Sequence, residues 1–246
     1  MKHILKSILP IAAAAAIILP VAAAGPAANT QKIQSDAPDM DLIKKAVTDP
    51  ASKYYYPKLM NRYEQNETIM NLEDYRYLYL GAVFQEDYNP YRRNPLDNLL
   101  DSLYYKEKHS RAELDSIISY AESSLIDDPF DLSQINFLIY ALRKRGKDNR
   151  ANIWQYRLNH LLQAILSTGT GVDPEHAWVV IDPKHEYNIV NFQNAIVDKA
   201  EFTAPYYDHI TVKPSEANKD KTPEFFFNIR YILQEYYRKH PDEVEP

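Results

Sequence analysis

The chain has 246 residues, a net charge of −6 at neutral pH, five glycines and no cysteine. The lack of cysteine excludes disulfides, thiolate nucleophiles and cysteine metal ligands, and the acidic balance argues against nucleic acid and anionic membranes as partners. Few glycines argue against a phosphate-binding loop, because such loops need several to let the backbone approach the phosphates.

The first 24 residues are typical of a cleavable secretory signal peptide. Lys2 and Lys6 give a positive start, residues 8–19 form an uncharged apolar run, and residues 22–24 are small alanines. That order is the signal-peptide pattern. A membrane-spanning helix, the competing interpretation, needs about 20 apolar residues, and this stretch is slightly short and contains two prolines.

The sequence therefore predicts an exported chain that begins at or near Gly25. Removal of residues 1–24 takes away two lysines and no acid, which leaves a net charge of −8. No membrane insertion of the mature chain is expected. Residues 25–39 are small, polar and proline-containing, which predicts a disordered start.

Residues 40–167 are predicted to be helical throughout. The shorter helices are predicted over residues 41–47, 54–63, 71–84 and 96–105. Asn71 is the expected cap of the third, with Asp74 three residues on. Tyr75 and Tyr79 of that helix fit its apolar stripe, whereas Tyr77 is out of phase with it.

Three longer helices follow. Ser110 with Glu113 forms a capping box, Asp131 opens the next helix, Gly146 ends it in a left-handed conformation, and Asn149 is the predicted cap of the third. Apolar residues recur at helical spacing in all three: Leu114, Ile117, Ile118, Ala121 and Leu125; Ile135, Leu138, Ile139 and Leu142; Trp154, Leu158, Leu161 and Ile165. Helices joined by short turns are antiparallel neighbours.

The spacing from Pro129 to Leu162 is close to the 34-residue period of a helical-hairpin repeat. No strict repeat consensus is present. The pattern therefore indicates a tetratricopeptide-like antiparallel stack over residues 40–167.

The remaining segment, residues 168–236, is richer in β-branched and aromatic residues. Strands are predicted over 178–181, 187–192, 209–212 and 225–229, although the last also suits a helix. The predicted fold class is thus α+β, a helical stack followed by a small antiparallel β-sheet packed on it. Residues 237–246 are expected to form a charged, frayed tail.

Two segments resemble domain-of-unknown-function family 4919. They are YYYPKLMNRYEQNETIMNLEDYRYLYLGAVFQEDYNPY, residues 54–91, and ILSTGTGVDPEHAWVVIDPKHEY, residues 165–187. The resemblance covers most of residues 40–230. It implies a protein exported by a Gram-negative bacterium of the gut type, and it implies no activity and no catalytic residue.

Metal binding has only weak candidates, His176, His185 and His209. Histidine nitrogens suit zinc, but no His-Glu-x-x-His helix occurs and the spacings match no familiar zinc pattern. The alternative interpretation is that these histidines bond to nearby backbone groups. No cofactor is predicted.

Adjacent carboxylates recur, as at Glu73–Asp74, Glu86–Asp87 and Asp127–Asp128. Glycosidases need two carboxyls facing each other across a cleft, whereas neighbouring carboxylates at a helix start or turn are usually caps or solvated surface. No Gly-x-Ser-x-Gly nucleophile elbow is present. No catalytic residue is therefore named.

Tyrosine is unusually frequent, with 20 copies. The simplest interpretation is that tyrosine fills the rim of the helical stack, with its hydroxyl reaching water. The functional interpretation is a contact surface for a partner, because tyrosine and arginine carry much binding energy at interfaces. The candidate surface consists of Tyr77, Tyr88, Tyr91, Arg92 and Arg93.

The leading functional hypothesis is a non-catalytic binding or interaction module in the periplasm or outside the cell. Its partner would be an envelope protein, a peptide or a glycan. The alternative is a hydrolase that acts on a glycan or peptide in the envelope, possibly with a metal.

Overall fold

The structure, a computed structural model, describes residues 35–215 and 223–243. Within these residues, nine α-helices and a small four-stranded mixed sheet near the C-terminal end make up the fold. The predicted α+β class is confirmed. The predicted signal peptide, residues 25–34 of the predicted disordered start and residues 244–246 of the predicted tail lie outside the described residues.

The regular elements have the following bounds. The helices are α1 Met40–Thr48, α2 Tyr56–Glu64, α3 Leu72–Gly81, α4 Asp97–Tyr104, α5 Arg111–Asp127, α6 Leu132–Lys144, α7 Asp148–Leu166, α8 Pro183–Phe192 and α9 Arg230–Lys239. The strands are β1 Trp178–Val179, β2 Val197–Thr203, β3 Tyr207–Val212 and β4 Glu224–Asn228. None of these helices has both the length and the apolar character needed to cross a membrane.

Local capping fixes where several helices begin. Asn71 and Ser110 both form reciprocal capping boxes, as predicted, at the starts of α3 and α5. Gly146 has φ of 68° and ends α6 in the predicted left-handed turn. The prediction that Asn149 caps α7 is wrong, because Lys147 is the N-cap and Asn149 is already inside the helix. The tight turn at Gly146 brings the chain into α7 earlier than the sequence pattern suggested.

The helical part is a layered stack. Helix α3 packs on α7, α7 on α6, and α6 on α5, while α1 and α2 pack against α3. The predicted apolar stripes of α5 and α6 are buried throughout. Tyr75 and Tyr79 are also buried in the core of the stack.

The sheet has the strand order β1-β4-β3-β2. Its β2–β3 and β3–β4 pairs are antiparallel, but β1 and β4 are parallel. The predicted wholly antiparallel sheet is therefore corrected to a mixed one. Parallel neighbours cannot be joined by a hairpin, so this pairing has no local sequence signal.

Two further corrections concern the segment around the sheet. Residues 187–192, predicted as a strand, belong to helix α8, because Asp182 caps it and Pro183 occupies its first turn. Residues 237–239 of the predicted tail belong to α9, whose Leu233 and Tyr236 are buried. Strand β2 was not predicted.

One hydrophobic cluster connects the two parts of the fold. Its buried members come from the helical stack, for example Leu138 and Leu161, and from the sheet and its flanking helices, for example Ile189, Ile210 and Phe227. The β part therefore packs directly on the stack, and a cleft opens at the boundary between them.

Candidate functional site

A cleft of about 430 Å³ opens where the helical stack meets α8. Its walls are α2, the segment that follows α3, the turn between α5 and α6, and the segment that leads from β1 into α8. A volume of this size is within the usual range for small-molecule sites. Four segments far apart in sequence thus contribute side chains to one concave surface.

A hydrogen-bonded network joins buried groups, and three of its members, Phe130, Ile181 and His185, form the floor of the cleft. The Tyr79 hydroxyl lies 2.8 Å from His185 Nδ1 and accepts the Ile181 N–H at 3.2 Å. His185 Nε2 lies 3.0 Å from the Phe130 carbonyl oxygen. Because a carbonyl only accepts, Nε2 carries the proton and Nδ1 accepts from Tyr79. Burial lowers the pKa of His185, so the imidazole is neutral.

Two aspartates from different segments of the chain line the cleft. Asp128 lies at the C-terminal end of α5, and Asp182 is the N-cap of α8, where its carboxylate accepts the Lys184 N–H at 2.7 Å. Beside them, Lys184 Nζ lies 3.4 Å from the buried carboxylate of Asp131. Lys184 therefore forms an ion pair with Asp131 and not with Asp128 or Asp182.

Both cleft aspartates titrate close to neutral pH. Burial raises the pKa of Asp128 to about 6, and the negative charges of Asp131 and Asp182 act in the same direction. Burial also raises the pKa of Asp182 to about 6, although Lys184 opposes this shift. Desolvation and like charges both disfavour the ionised form. Each carboxyl can therefore hold or release a proton near neutral pH.

The cleft as a whole carries an excess of negative charge. The carboxylates that line it belong to Glu64, Asp87, Asp127, Asp128 and Asp182. Among the described residues none of these five is in an ion pair. Elsewhere on the described chain many carboxylates do have a cationic partner, as Asp115 has in Arg145.

Arg92 is the cation that faces these carboxylates, but its guanidinium is bound to backbone. It donates to the Asp127 carbonyl at 2.7 Å and to the Asp87 carbonyl at 2.9 Å. These bonds tie the segment after α3 to the end of α5. Arg92 therefore holds one wall of the cleft in place, while the neighbouring exposed Arg93 lines a smaller adjoining pocket.

Aromatic rings form another part of the wall. Tyr88 is half-buried, and its hydroxyl donates to the Ile181 carbonyl at 2.8 Å. Tyr56 and Phe130 line the same space. Burial raises the pKa of both Tyr56 and Tyr88, so neither phenol ionises at neutral pH. The cleft thus combines ring faces with carboxylates.

The tyrosines and arginines of the candidate surface do not all lie in the cleft. Tyr88 and Arg92 line the cleft, and Arg93 lies beside it. Tyr77 instead stacks on Tyr54, with ring centroids 3.8 Å apart. Tyr91 packs edge-on against Tyr236 of α9 at 5.9 Å. The structure therefore brings part of the candidate surface to the cleft and places the rest in side-chain packing.

The three candidate metal histidines have separate partners. His176 bonds to Asp173 at 2.8 Å, His185 belongs to the Tyr79 network, and His209 bonds to Glu224 at 2.9 Å. Within the described part of the chain, no group of three or more His, Cys, Asp or Glu residues is arranged to hold a metal ion. The structure does not bring these histidines into one site.

The sequence shows the adjacent carboxylates Asp127–Asp128, but no sequence pattern connects them with Asp182. Asp128 and Asp182 each precede a proline. That signal is not specific, because Asp49 and Asp173 also precede prolines and do not line the cleft. Only the packing of α8 against the α5–α6 turn brings the two carboxyls into one cavity.

Comparison with known proteins identifies a family. No curated protein and no solved structure matches the chain. A family model described as "Domain of unknown function (DUF4919)" matches residues 41–238. That range contains every helix and strand that lines the cleft, and it covers most of the chain. The chain therefore belongs to the DUF4919 family.

Proposed function

We propose that the protein is an exported binding module whose cleft takes up a cationic group, such as the ammonium of a lysine side chain in a peptide. The observation that carries the proposal is the set of five carboxylates, without ion pairs among the described residues, around a cavity of about 430 Å³. Carboxylates in a partly desolvated cleft attract a cation more strongly than they do in water. The negative net charge of the whole chain adds long-range attraction.

The aromatic wall favours the same ligand class. A cation placed over the face of a tyrosine ring is attracted by the ring quadrupole. Tyr56 and Tyr88 line the cleft together with Asp128 and Asp182. The apolar stem of a lysine would pack along the rings while its ammonium reaches the carboxylates.

Titration calorimetry tests this proposal with the chain from Gly25 to Pro246. The ligand is a blocked tripeptide, glycine-lysine-glycine, and its neutral comparison carries norleucine in place of lysine. We expect heat from the lysine peptide only. Asp128→Asn and Asp182→Asn should each weaken binding about tenfold, the loss typical when one partner of a charge-assisted bond is removed. Asparagine is also a good N-cap, so the second change preserves α8.

Glu107→Gln is the matched control, because Glu107 is exposed and lies outside the cleft. It removes the same charge and should leave the affinity unchanged. Equal binding of the lysine and norleucine peptides would contradict the proposed ligand class. Binding that survives both aspartate substitutions would contradict the proposed location.

Export is tested separately. The small residues before Gly25 support cleavage there. N-terminal sequencing of the protein from its native host is expected to begin at or near Gly25, and a retained Met1 would contradict export by this route.

A hydrolase is the second candidate, favoured by one observation. Asp128 and Asp182 line the same cleft and both have a pKa raised to about 6, which suits carboxyls that exchange protons with a substrate. Glycan and peptide substrates incubated with the protein would give products that Asp128→Asn or Asp182→Asn abolishes. A protein that binds the lysine peptide and yields no product supports the binding module instead.

A further inference from the structure

Strand β2 is an edge strand of the sheet that the described residues form. It is the last strand in the order β1-β4-β3-β2, and among the described residues it pairs only with β3. Residues 198–202 are exposed on both faces of the strand. The outer edge of such a strand offers unpaired N–H and C=O groups to another strand.

The charges on β2 are arranged in a self-complementary way. Lys199 and Glu201 are two residues apart, so both side chains project from the same face of the strand. Both are exposed, and among the described residues neither is in an ion pair. Ala200 lies between them and projects from the other face.

We propose that two copies of this chain pair through β2 as antiparallel edge strands, with Ala200 opposite the partner's Ala200. In this register, Lys199 faces the partner's Glu201 and Glu201 faces the partner's Lys199. The twofold symmetry therefore creates two ion pairs from one sequence. Opposite charges on directly facing residues stabilise an antiparallel pair, and an isologous contact is the usual form of a homodimer.

The neighbouring registers are disfavoured by charge. In an antiparallel pair, two residues that face each other project from the same side of the sheet. In a twofold-symmetric pair, the register can therefore change only in steps that move the symmetry axis by one residue along the strand. A shift in one direction places Lys199 opposite the partner's Lys199. A shift in the other places Glu201 opposite the partner's Glu201. Only the register centred on Ala200 contains unlike charges and no like-charge pair.

Two further features fit this contact. The pairing with β3 is regular from Lys199 to Thr203, and the β-bulge near Val197 lies outside the central residues. On the face opposite the charges, the Phe202 ring is 38% exposed. In the proposed register this ring lies diagonally across from the partner's Ala200, within reach of an aromatic side chain.

Sedimentation equilibrium at low salt tests the proposal with the chain from Gly25 to Pro246. The unmodified protein is expected to dimerise reversibly. Lys199→Glu and Glu201→Lys should each raise the dimer Kd at least about tenfold, because each places like charges directly opposite one another. Combining both substitutions exchanges the two charges and restores the complementary pattern, so the double variant should recover the original Kd within about threefold.

Lys108→Glu is the matched control for Lys199→Glu, because Lys108 is exposed and lies in the loop before α5. It changes the net charge by the same amount and should leave the Kd unaltered. Far-ultraviolet circular dichroism checks that every variant is folded. A monomeric unmodified protein would overturn the proposal and show that the charges only protect the edge. A double variant as weak as the single ones would overturn the proposed register.

Discussion

At the scale of single residues, the Tyr79 hydroxyl connects two residues that line the cleft, Ile181 and His185. It bonds to His185 Nδ1 and accepts the Ile181 N–H, so one oxygen connects α3 with α8 and with the segment before α8. The groups involved are buried. Loss of this oxygen leaves His185 Nδ1 and the Ile181 N–H without their present partner at buried positions.

Tyr79→Phe is therefore expected to lower the free energy of unfolding by about 1–3 kcal/mol, the usual effect of leaving buried polar groups unpaired. Urea denaturation measures the change. Tyr105→Phe is the matched control, since the Tyr105 side chain is 49% exposed, and it should have little effect. Equal midpoints for the two variants would show that the network does not stabilise the fold.

The raised pKa values of Asp128 and Asp182 predict that the affinity for the proposed ligand depends on pH. Both pKa values are about 6, so the carboxyls are ionised above this pH and neutral below it. Affinity for the lysine peptide should fall as the pH is lowered from about 7.5 to about 5. Calorimetry across this range measures it, and a variant with both aspartates changed to asparagine should lose the dependence.

At the scale of elements, helix α8 faces two environments. His185 contributes to the cleft floor, and the next residue, Glu186, is buried against the sheet. The Glu186 carboxyl interacts with the carboxyl of Asp208 on β3, and this interaction adds to burial in raising the pKa of Glu186. Two carboxyls can share a hydrogen bond only when one carries a proton. Asp182 and Tyr187 are the other titratable groups that act on this pair.

This pair makes stability depend on pH in a defined direction. Burial raises the pKa of Glu186 well above its usual value, and burial raises the pKa of Asp208 to about 6. When a carboxyl has a higher pKa in the folded state than in the unfolded state, it favours folding at pH values below the unfolded-state pKa. This stabilisation is lost as the pH rises through the folded-state pKa. The native protein should therefore lose stability as the pH rises from about 4, where both carboxyls ionise in the unfolded chain, through about 6, the pKa of Asp208, and towards the still higher pKa of Glu186.

Glu186→Gln is expected to reduce that loss, because an amide N–H donates to an ionised Asp208 without needing a proton. At about pH 8 the variant should be more stable than the native protein. Urea midpoints at about pH 5 and about pH 8 measure the effect, with Glu107→Gln as the control. An identical pH dependence in the native protein and Glu186→Gln would argue against a shared proton.

At the scale of the whole molecule, the helical stack and the β part share one hydrophobic cluster. A shared core predicts that neither part unfolds before the other. The chain offers a direct probe, because its two tryptophans divide between the parts, Trp154 in α7 and Trp178 in β1. Fluorescence from each one therefore reports a different part of the fold.

The variants Trp154→Phe and Trp178→Phe each retain one tryptophan. Within each variant, the fluorescence midpoint in urea should coincide with the midpoint of far-ultraviolet circular dichroism, as expected for a cooperative transition. Separate midpoints in the Trp178-containing variant would mean that the β part unfolds independently.

The sequence by itself determined the helices from Ser110 to Leu166. Their apolar stripes, and the capping residues of α5 and α6, lie within single turns or short windows, so local geometry specifies them; the N-cap of α7 is the exception. The α+β class followed from the same local patterns. The candidate site was only partly predictable: Tyr88 and Arg92 were identified from composition and turn position, but their cavity was not.

The tertiary structure decided the features that depend on distant partners. Residues 187–192 contain β-branched and aromatic residues that also suit a strand, and burial of Ile189 and Val190 against the rest of the fold accompanies their helical form. The parallel β1–β4 pair joins two segments that are distant in sequence, and no local sequence pattern predicts their pairing. Asp128 and Asp182 come to line one cleft only when α8 packs against the α5–α6 turn. The same packing buries both carboxyls and raises their pKa values, because desolvation depends on the surroundings of a group and not on its local sequence.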